Sequence, residues 1–226
     1  MRGNRFTDRS DAGRQLAAAL ARQLEASGAI VLGLPRGGVP VAAEIARTLR
    51  LPLDVLCVRK LGVPFQRELA MGAVASGGAV VRNEDVLAMV PAGEAEFERV
   101  LAEERAELAR RERRYRGAGT PLQVAGRAVI LVDDGLATGA TMEAGVRALR
   151  LLHAREIIVA VPVGSPEACK RIEAVADRVV CLRSPEWFGA VGAWYERFDQ
   201  TSDEEVTELL EEARERDRPG ARGDAC

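Results

Sequence analysis

The chain is poor in several residue types, and each shortage narrows its chemistry. It holds one histidine, His153, and four cysteines, Cys57, Cys169, Cys181 and Cys226, none spaced Cys-x-x-Cys. A single histidine excludes a multi-histidine zinc centre, and with no nucleophile-elbow motif beside it a Ser-His-Asp hydrolase is disfavoured. Any metal is then a hard one bound through oxygen. His153 follows a predicted helix ending near Leu152, where a cationic ring meets the carboxyl-terminal dipole favourably. Cys57 and Cys181 lie in apolar, strand-like runs and read as small core residues. With 32 basic and 34 acidic residues the net charge is only −2, so no global field draws the chain to nucleic acid. No apolar run approaches the roughly 20 residues that span a bilayer, and Met1-Arg2-Gly3-Asn4-Arg5 leads into no hydrophobic segment of signal-peptide type. A cytoplasmic location without a membrane partner is the expectation. Aromatics make up only 4% of the chain, yet Trp187, Phe188, Trp194, Tyr195 and Phe198 crowd into one short segment.

What is present suits one α/β domain with an appendage. At 226 residues, 47% apolar and 29% charged, the chain can bury a full core. Leu16, Leu20 and Leu24 predict an outer helix over 8–26, with Asp8 or Ser10 as its cap and Gly28 as its end. A short buried strand over 29–34 leads through Pro35-Arg36-Gly37-Gly38 into a helix over 39–49, and Pro40 suits that helix's first turn. The run 53–58 predicts a strand that delivers Arg59 and Lys60 at its carboxyl end. Residues 61–68 read as loop, and 69–75 with Val80 and Val81 as a hairpin about Gly77 and Gly78. A long charged helix is predicted over 93–115, with Phe97, Val100, Leu101 and Leu108 as its apolar stripe. Its end, Arg110-Arg111-Glu112-Arg113-Arg114-Tyr115-Arg116, is the most basic cluster in the chain, read either as a nucleic-acid contact or as cations stabilising a helix terminus.

Further on, 156–163 and 179–182 read as strands, and Ser165-Pro166-Glu167 opens a helix with serine as its cap. Strand and helix alternate, which argues for an open, mainly parallel twisted sheet with helices on both faces. The organisation that follows is an α/β domain over 1–183, carrying a flexible or inserted helical segment at about 60–121. An aromatic segment with a terminal helix from Asp203 covers 184–216, and a polar tail predicted to be disordered covers 217–226. Trp194, Tyr195 and Phe198 read as packing that appendage onto the domain.

The stretch with chemistry in it is Val129-Ile130-Leu131-Val132-Asp133-Asp134-Gly135-Leu136-Ala137-Thr138-Gly139-Ala140-Thr141. Four apolar residues predict a strand buried on both faces, and Met142, Val146 and Leu149 predict the helix after the loop. Two adjacent carboxylates at a strand's carboxyl end can accept hydrogen bonds from vicinal hydroxyls or hold a hard cation. Ala137 to Thr141 form a candidate phosphate cradle, with amides at a helix amino terminus and the hydroxyls of Thr138 and Thr141 as further donors. Singly, each residue has a plain structural reading as a turn, a cap or a tight corner. Arg36-Gly37-Gly38 is a second strand-to-helix loop with amides available for an anion, but it has neither the Walker residues nor the dinucleotide-binding glycine spacing.

Taken together, the apolar strand, the carboxylate pair and the Thr-Gly-Ala-Thr cradle resemble the phosphoribosyl pyrophosphate (PRPP) loop of the type I phosphoribosyltransferases. The likeness spans about residues 29–182 and is specific at this loop. It implies that Asp133 and Asp134 hold the ribose hydroxyls of PRPP, directly or through magnesium and water, and that Ala137, Thr138, Gly139, Ala140 and Thr141 hold its 5-phosphate. It places the pyrophosphate on Arg36, Gly37 and Gly38, in a loop that in this family often contains a non-proline cis peptide, with Lys60 or Arg59 balancing the charge. Lys60 is thereby a candidate catalytic residue beside Asp133 and Asp134. The family's hood often stacks an aromatic ring on the acceptor, which makes Trp187 and Phe188 the candidate acceptor contacts. A closing loop, a small-molecule acceptor and a homodimer complete what the resemblance implies, and glycine and charge content make 62–67 and 115–121 the candidate loops. Two functions stay open: a magnesium-dependent transferase releasing pyrophosphate, and a non-catalytic PRPP- or nucleotide-sensing regulator of the same fold.

Overall fold

The apolar runs become the strands of two sheets. The computed structural model describes residues 5–22, 28–64, 66–91, 93–117 and 121–218, without the side chains of 67 and 68. In chain order it contains helix α1 (Arg9–Ala21), strand β1 (Ile30–Gly33), helix α2 (Gly38–Leu49) and strand β2 (Leu53–Val55). Strands β3 (Val58–Val63), β4 (Gln66–Ala75) and β5 (Val80–Arg82) follow, then helices α3 (Glu84–Met89) and α4 (Gly93–Arg116). The remainder is β6 (Ala128–Val132), α5 (Ala140–Leu151), β7 (Glu156–Val163), α6 (Pro166–Glu173), β8 (Arg178–Arg183) and α7 (Asp203–Asp217).

The main sheet has five strands in the order β2-β1-β6-β7-β8, every pair parallel. Its centre, β6, is buried along its whole length. Because side chains alternate across a strand, Ile130 and Val132 join one core with Leu16, Ile45 and Leu210, while Val129 and Leu131 join a second with Met142, Val146 and Ile172. Helices α1, α2 and α7 therefore cover one face and α5 and α6 the other. The predicted caps hold: Asp8 accepts from the Asp11 amide at 2.9 Å and Ser165 from the Ala168 amide at 3.1 Å. No helix among the described residues is long and apolar enough to cross a membrane.

The second sheet, β3-β4-β5, is antiparallel. The expected hairpin over 69–81 is present, turning at Ser76–Gly78, where Gly77 has φ 76° and Gly78 φ 78°. The expected single strand over 53–58 is not. The Leu56 amide still donates to Gly33 in the main sheet (3.1 Å), but the Cys57 amide donates to Ser76 Oγ (3.0 Å) and the Cys57 carbonyl accepts from the Ser76 amide (2.9 Å). The chain thus leaves one sheet for the other at Leu56 and Cys57, and an unbroken apolar run conceals the exchange of partners. Arg59 and Lys60 consequently lie inside β3, and most of the expected 61–68 loop is the β3–β4 hairpin. Of the two closing-loop candidates, Phe65 and residues 118–120 lie outside the described residues. So do residues 23–27, on which the end of the expected first helix falls, and 219–226, most of the expected tail.

The basic end of α4 is tied into the fold. Arg110 and Arg111 pair with Glu107, and Arg114 pairs with Asp203 and Glu204 of α7. Arg116, with only 4% of its side chain exposed, lies 2.9 Å from Asp54 and 3.1 Å from Glu112, and also donates to the Val55 carbonyl. The helix-end reading of this cluster is the one with observed partners. Breaking a buried ion pair from one side leaves the other charge uncompensated, at about 3–5 kcal/mol. Arg116→Met is therefore expected to lower unfolding stability by about 3 kcal/mol, measured by urea denaturation; a loss under about 1 kcal/mol would show that Asp54 finds solvent instead.

Candidate active site

Two loops meet where β1 and β6 end, side by side. The Leu34 amide donates to the Val132 carbonyl at 2.9 Å, fixing the start of the first loop against the start of the second. Residues 35–38 then lie directly on the carboxylate pair. A Cβ on Gly37 would fall 2.0 Å from Asp134 Oδ2, and one on Gly38 would fall 2.5 Å from the Val132 carbonyl oxygen. Both positions require glycine because a neighbouring loop occupies the space. The Pro35-Arg36 peptide is cis, as the resemblance implied. One expectation needs correction: the Gly38 amide donates to the Leu34 carbonyl at 3.0 Å, so that hydrogen is engaged in the turn and is not offered to an anion.

Each carboxylate is anchored through one oxygen. Asp133 Oδ1 accepts from the Asp134 amide at 2.9 Å. Asp134 Oδ2 accepts from Arg9 Nε at 2.9 Å and lies 2.8 Å from Arg9 Nη2 in the same ion pair. Tyr195 Oη donates to the Asp134 carbonyl at 2.6 Å, and a Cβ on Gly135 would fall 2.5 Å from Val191 Cγ1. The aromatic segment therefore seats on the acidic loop, as its packing reading anticipated for Tyr195. It is tied as well to the segment before α1: the Phe6 amide donates to the Trp194 carbonyl and the Glu196 amide to the Phe6 carbonyl, both at 2.8 Å. Arg9 and Val191 are site-building residues that sequence reasoning missed, and Tyr195 was read as packing without its bond to the acidic loop. No spacing signal links Arg9 to a carboxylate 125 positions away.

The cradle is open outward. Ala137, Thr138, Ala140 and Thr141 are exposed, and Gly139 enters α5 at φ 76°, a left-handed conformation that glycine adopts without penalty. Its carbonyls are turned inward, each with a protein donor. Leu136 accepts from the Ser165 amide (2.9 Å), Ala137 from Ser165 Oγ (2.9 Å), Thr138 from Arg171 Nη1 (3.1 Å) and Gly139 from the Glu143 amide (2.8 Å). Among the described residues no acceptor takes the amides of Ala137, Thr138 or Gly139, while that of Ala140 makes a long contact of 3.4 Å with Thr138 Oγ1. Amides turned out at the start of a helix form an anion site.

The remaining candidates are distributed differently from expectation. Lys60 lines a cleft of about 470 Å³ between α5 and the small sheet, together with Ala140 and Thr141. It thus shares space with the cradle rather than with residues 36–38, which do not line that cleft. Arg59 points elsewhere, pairing with Glu104 of α4 at 2.6 Å; its place inside a strand edge-on to α4, not at a strand end, is the reason. Trp187 is 91% exposed. Phe188 packs into the small cluster of Phe6 and Tyr195, and its carbonyl accepts from Trp194 Nε1 at 2.9 Å.

Comparison with known proteins agrees with this geometry. The family model described as "Phosphoribosyl transferase domain" matches residues 5–197. Proteins of two Mycobacterium tuberculosis strains, each named "Putative phosphoribosyl transferase", are 49% identical over 208 residues, which is 92% of this chain and 47% of theirs. The chain therefore spans about half the length of the curated relatives it matches. A crystal structure of the Thermus thermophilus protein TT1426 superposes with a TM-score of 0.84 at 47% identity, covering 92% of this chain and 98% of that one. The chain belongs to the phosphoribosyl transferase domain family.

Burial pushes the Asp133 carboxyl well above the usual carboxylate range, and the neighbouring Asp134 charge pushes it further. Burial raises Asp134 too, against the opposing pull of Arg9. A raised folded-state pKa means that ionisation costs folding free energy. That cost is absent below the unfolded value of about 4 and grows as pH rises through the folded values. Asp133→Asn keeps an oxygen for the Asp134 amide and removes the charge. It is expected to raise the thermal midpoint at pH 7 by about 2–4 °C, equivalent to roughly 1 kcal/mol in a chain of this size. The advantage should shrink as pH falls towards 4; a midpoint lowered at pH 7 in thermal melts would contradict the electrostatic account.

Proposed function

We propose that this chain is a phosphoribosyltransferase that transfers the ribose 5-phosphate of PRPP to a small-molecule acceptor, a nitrogenous one by chemical class, and releases pyrophosphate. The observation that carries this reading is the loop after β6, in which every carbonyl of residues 136–139 is turned into the protein and the amides of 137–139 are turned out, directly after two buried carboxylates. Outward amides suit a terminal phosphate, and carboxylate oxygens suit the hydroxyls of a ribose. The Arg36 and Gly37 amides, beside Asp134, are the donors proposed for the pyrophosphate, and Lys60 is a cation on the cleft shared with the cradle.

Such a transfer asks little covalent help of the protein. The ribose develops positive charge at its anomeric carbon as the leaving group departs, and carboxylates fixed nearby stabilise that charge most where water is excluded. Asp133 and Asp134 with Arg9 carry one negative charge in excess, which suits a cation. Among the described residues no group of three or more His, Cys, Asp or Glu side chains could hold a metal; the magnesium of this proposal would take Asp133 and Asp134 with substrate and water as its other ligands. Magnesium, when bound, supplies charge neutralisation for the departing pyrophosphate. The regulatory alternative drew on the basic end of α4, where Arg110, Arg111, Arg114 and Arg116 are paired with acids, and no observation favours it.

The test is pyrophosphate release on incubation with PRPP, magnesium and a panel of nitrogenous acceptors. Release with one acceptor supports transfer, and tight PRPP binding with no release for any acceptor would replace it with the sensing function. Thr138→Val is expected to weaken ribose 5-phosphate binding by about 1 kcal/mol, the worth of one hydrogen bond, when measured by calorimetry. An equal loss for ribose without its phosphate would remove Thr138 from the phosphate site.

A further inference from the structure

We propose that Arg9 is a positioning residue for sugar recognition: from α1 it aims the carboxylate of Asp134 so that the acidic pair presents two oxygens to a vicinal diol. The inference rests on the reading of Asp133 and Asp134 as the ribose site and assigns to it a residue from the far end of the chain.

The Arg9 guanidinium is fixed on every side. Nε donates to Asp134 Oδ2, which also lies 2.8 Å from Nη2 in the ion pair, Nη1 donates to the Asp199 carbonyl at 2.6 Å, and the guanidinium carbon lies 3.9 Å from the centre of the Phe198 ring. Its side chain is 13% exposed and that of Asp134 is 15% exposed. A solvated surface pair contributes little. This one is shielded, its cation cannot swing away without losing two acceptors and a stacking partner, and Gly37 closes the other side of the same carboxylate oxygen.

The choice of oxygen gives the arrangement its function. Arg9 takes Oδ2 of Asp134 only, and the Asp134 amide takes Oδ1 of Asp133 only. Among the described residues no hydrogen bond falls on Asp134 Oδ1 or Asp133 Oδ2, so each carboxylate keeps one anchored and one available oxygen. Two available oxygens on adjacent residues match the two hydroxyls of a ribose. Without Arg9 the two buried, like-charged carboxylates repel with no counter-ion, and the Asp134 side chain has no partner to fix its rotamer. The phosphate cradle is built from main-chain amides and side chains other than Arg9, so sugar and phosphate recognition should separate.

Calorimetry of the full chain with ribose 5-phosphate and with inorganic phosphate, in magnesium-containing buffer, tests this. Arg9→Met is expected to weaken ribose 5-phosphate binding about tenfold, the equivalent of about 1.4 kcal/mol or one charged hydrogen bond, while inorganic phosphate stays within about twofold. Arg9→Lys, which keeps the charge but not the fork, should recover part of the loss. It also carries the test if the methionine variant does not melt cooperatively. In an Asp134→Asn background the Arg9→Met change should cost nothing more for the sugar, the result of a double-mutant cycle between coupled residues. Equal losses for both ligands, no loss for either, or additive effects in the cycle would overturn the role of Arg9. A wild-type protein that binds ribose 5-phosphate no more tightly than phosphate would instead overturn the ribose site itself.

Discussion

Burying two adjacent carboxylates is the constraint around which this molecule is arranged. Neither Asp133 nor Asp134 can sit at the end of β6 in a shielded place without partners, and the partners come from widely separated parts of the chain. The first is the Asp134 amide, which holds Asp133 through the local turn. The second is Arg9, delivered by α1, and the third is Tyr195, which holds the carbonyl of Asp134 from the aromatic segment. The close approach of Gly37 then follows, because a side chain there would occupy the position of Asp134 Oδ2.

The two sheets divide the labour. The parallel sheet, its central strand buried on both faces, supplies a rigid edge from which the loops after β1 and β6 project side by side. That is where open α/β sheets place their ligands. The antiparallel sheet adds a wall across a cleft of about 470 Å³ from the start of α5 and carries Lys60 on it. Helix α4 braces that wall with the Arg59–Glu104 pair and is itself fixed to β2 through Arg116 and to α7 through Arg114. Within a cluster of arginines that looks like a polyanion-binding patch in one dimension, Arg114 ties α4 to α7, Arg116 ties it to β2, and Arg110 and Arg111 pair along α4 itself.

Much of the fold could be read directly. The period of the apolar residues marked β1, β6, β7 and β8, the serine and proline before α6 marked its start, and the positive-φ glycines marked the β4–β5 turn. Reading failed where partners change without a change of composition. Residues 55–58 are apolar without a break, so nothing local indicates that Leu56 bonds to Gly33 and Cys57 to Ser76. That single exchange moved Arg59 and Lys60 from a strand terminus into a second sheet. The candidate site showed the same division. The cradle is a contiguous segment whose amides must turn outward once its carbonyls are engaged, and it was visible as such. The Gly38 amide, engaged by Leu34, and the solvent-facing Trp187 were not.

The sequence by itself determined the central strand, the carboxylate pair, the cradle and the glycines that let two loops meet, because each depends on residues adjacent in the chain or on a repeating period. Tertiary structure alone decided which charge faces which. Arg9 reaches Asp134 across 125 positions and Arg116 reaches Asp54 across 62. A guanidinium carries the same sequence signal whether it lies in solvent, in a strut or on a buried carboxylate, and only the packing of α1, α4 and the aromatic segment against the sheet separates those fates.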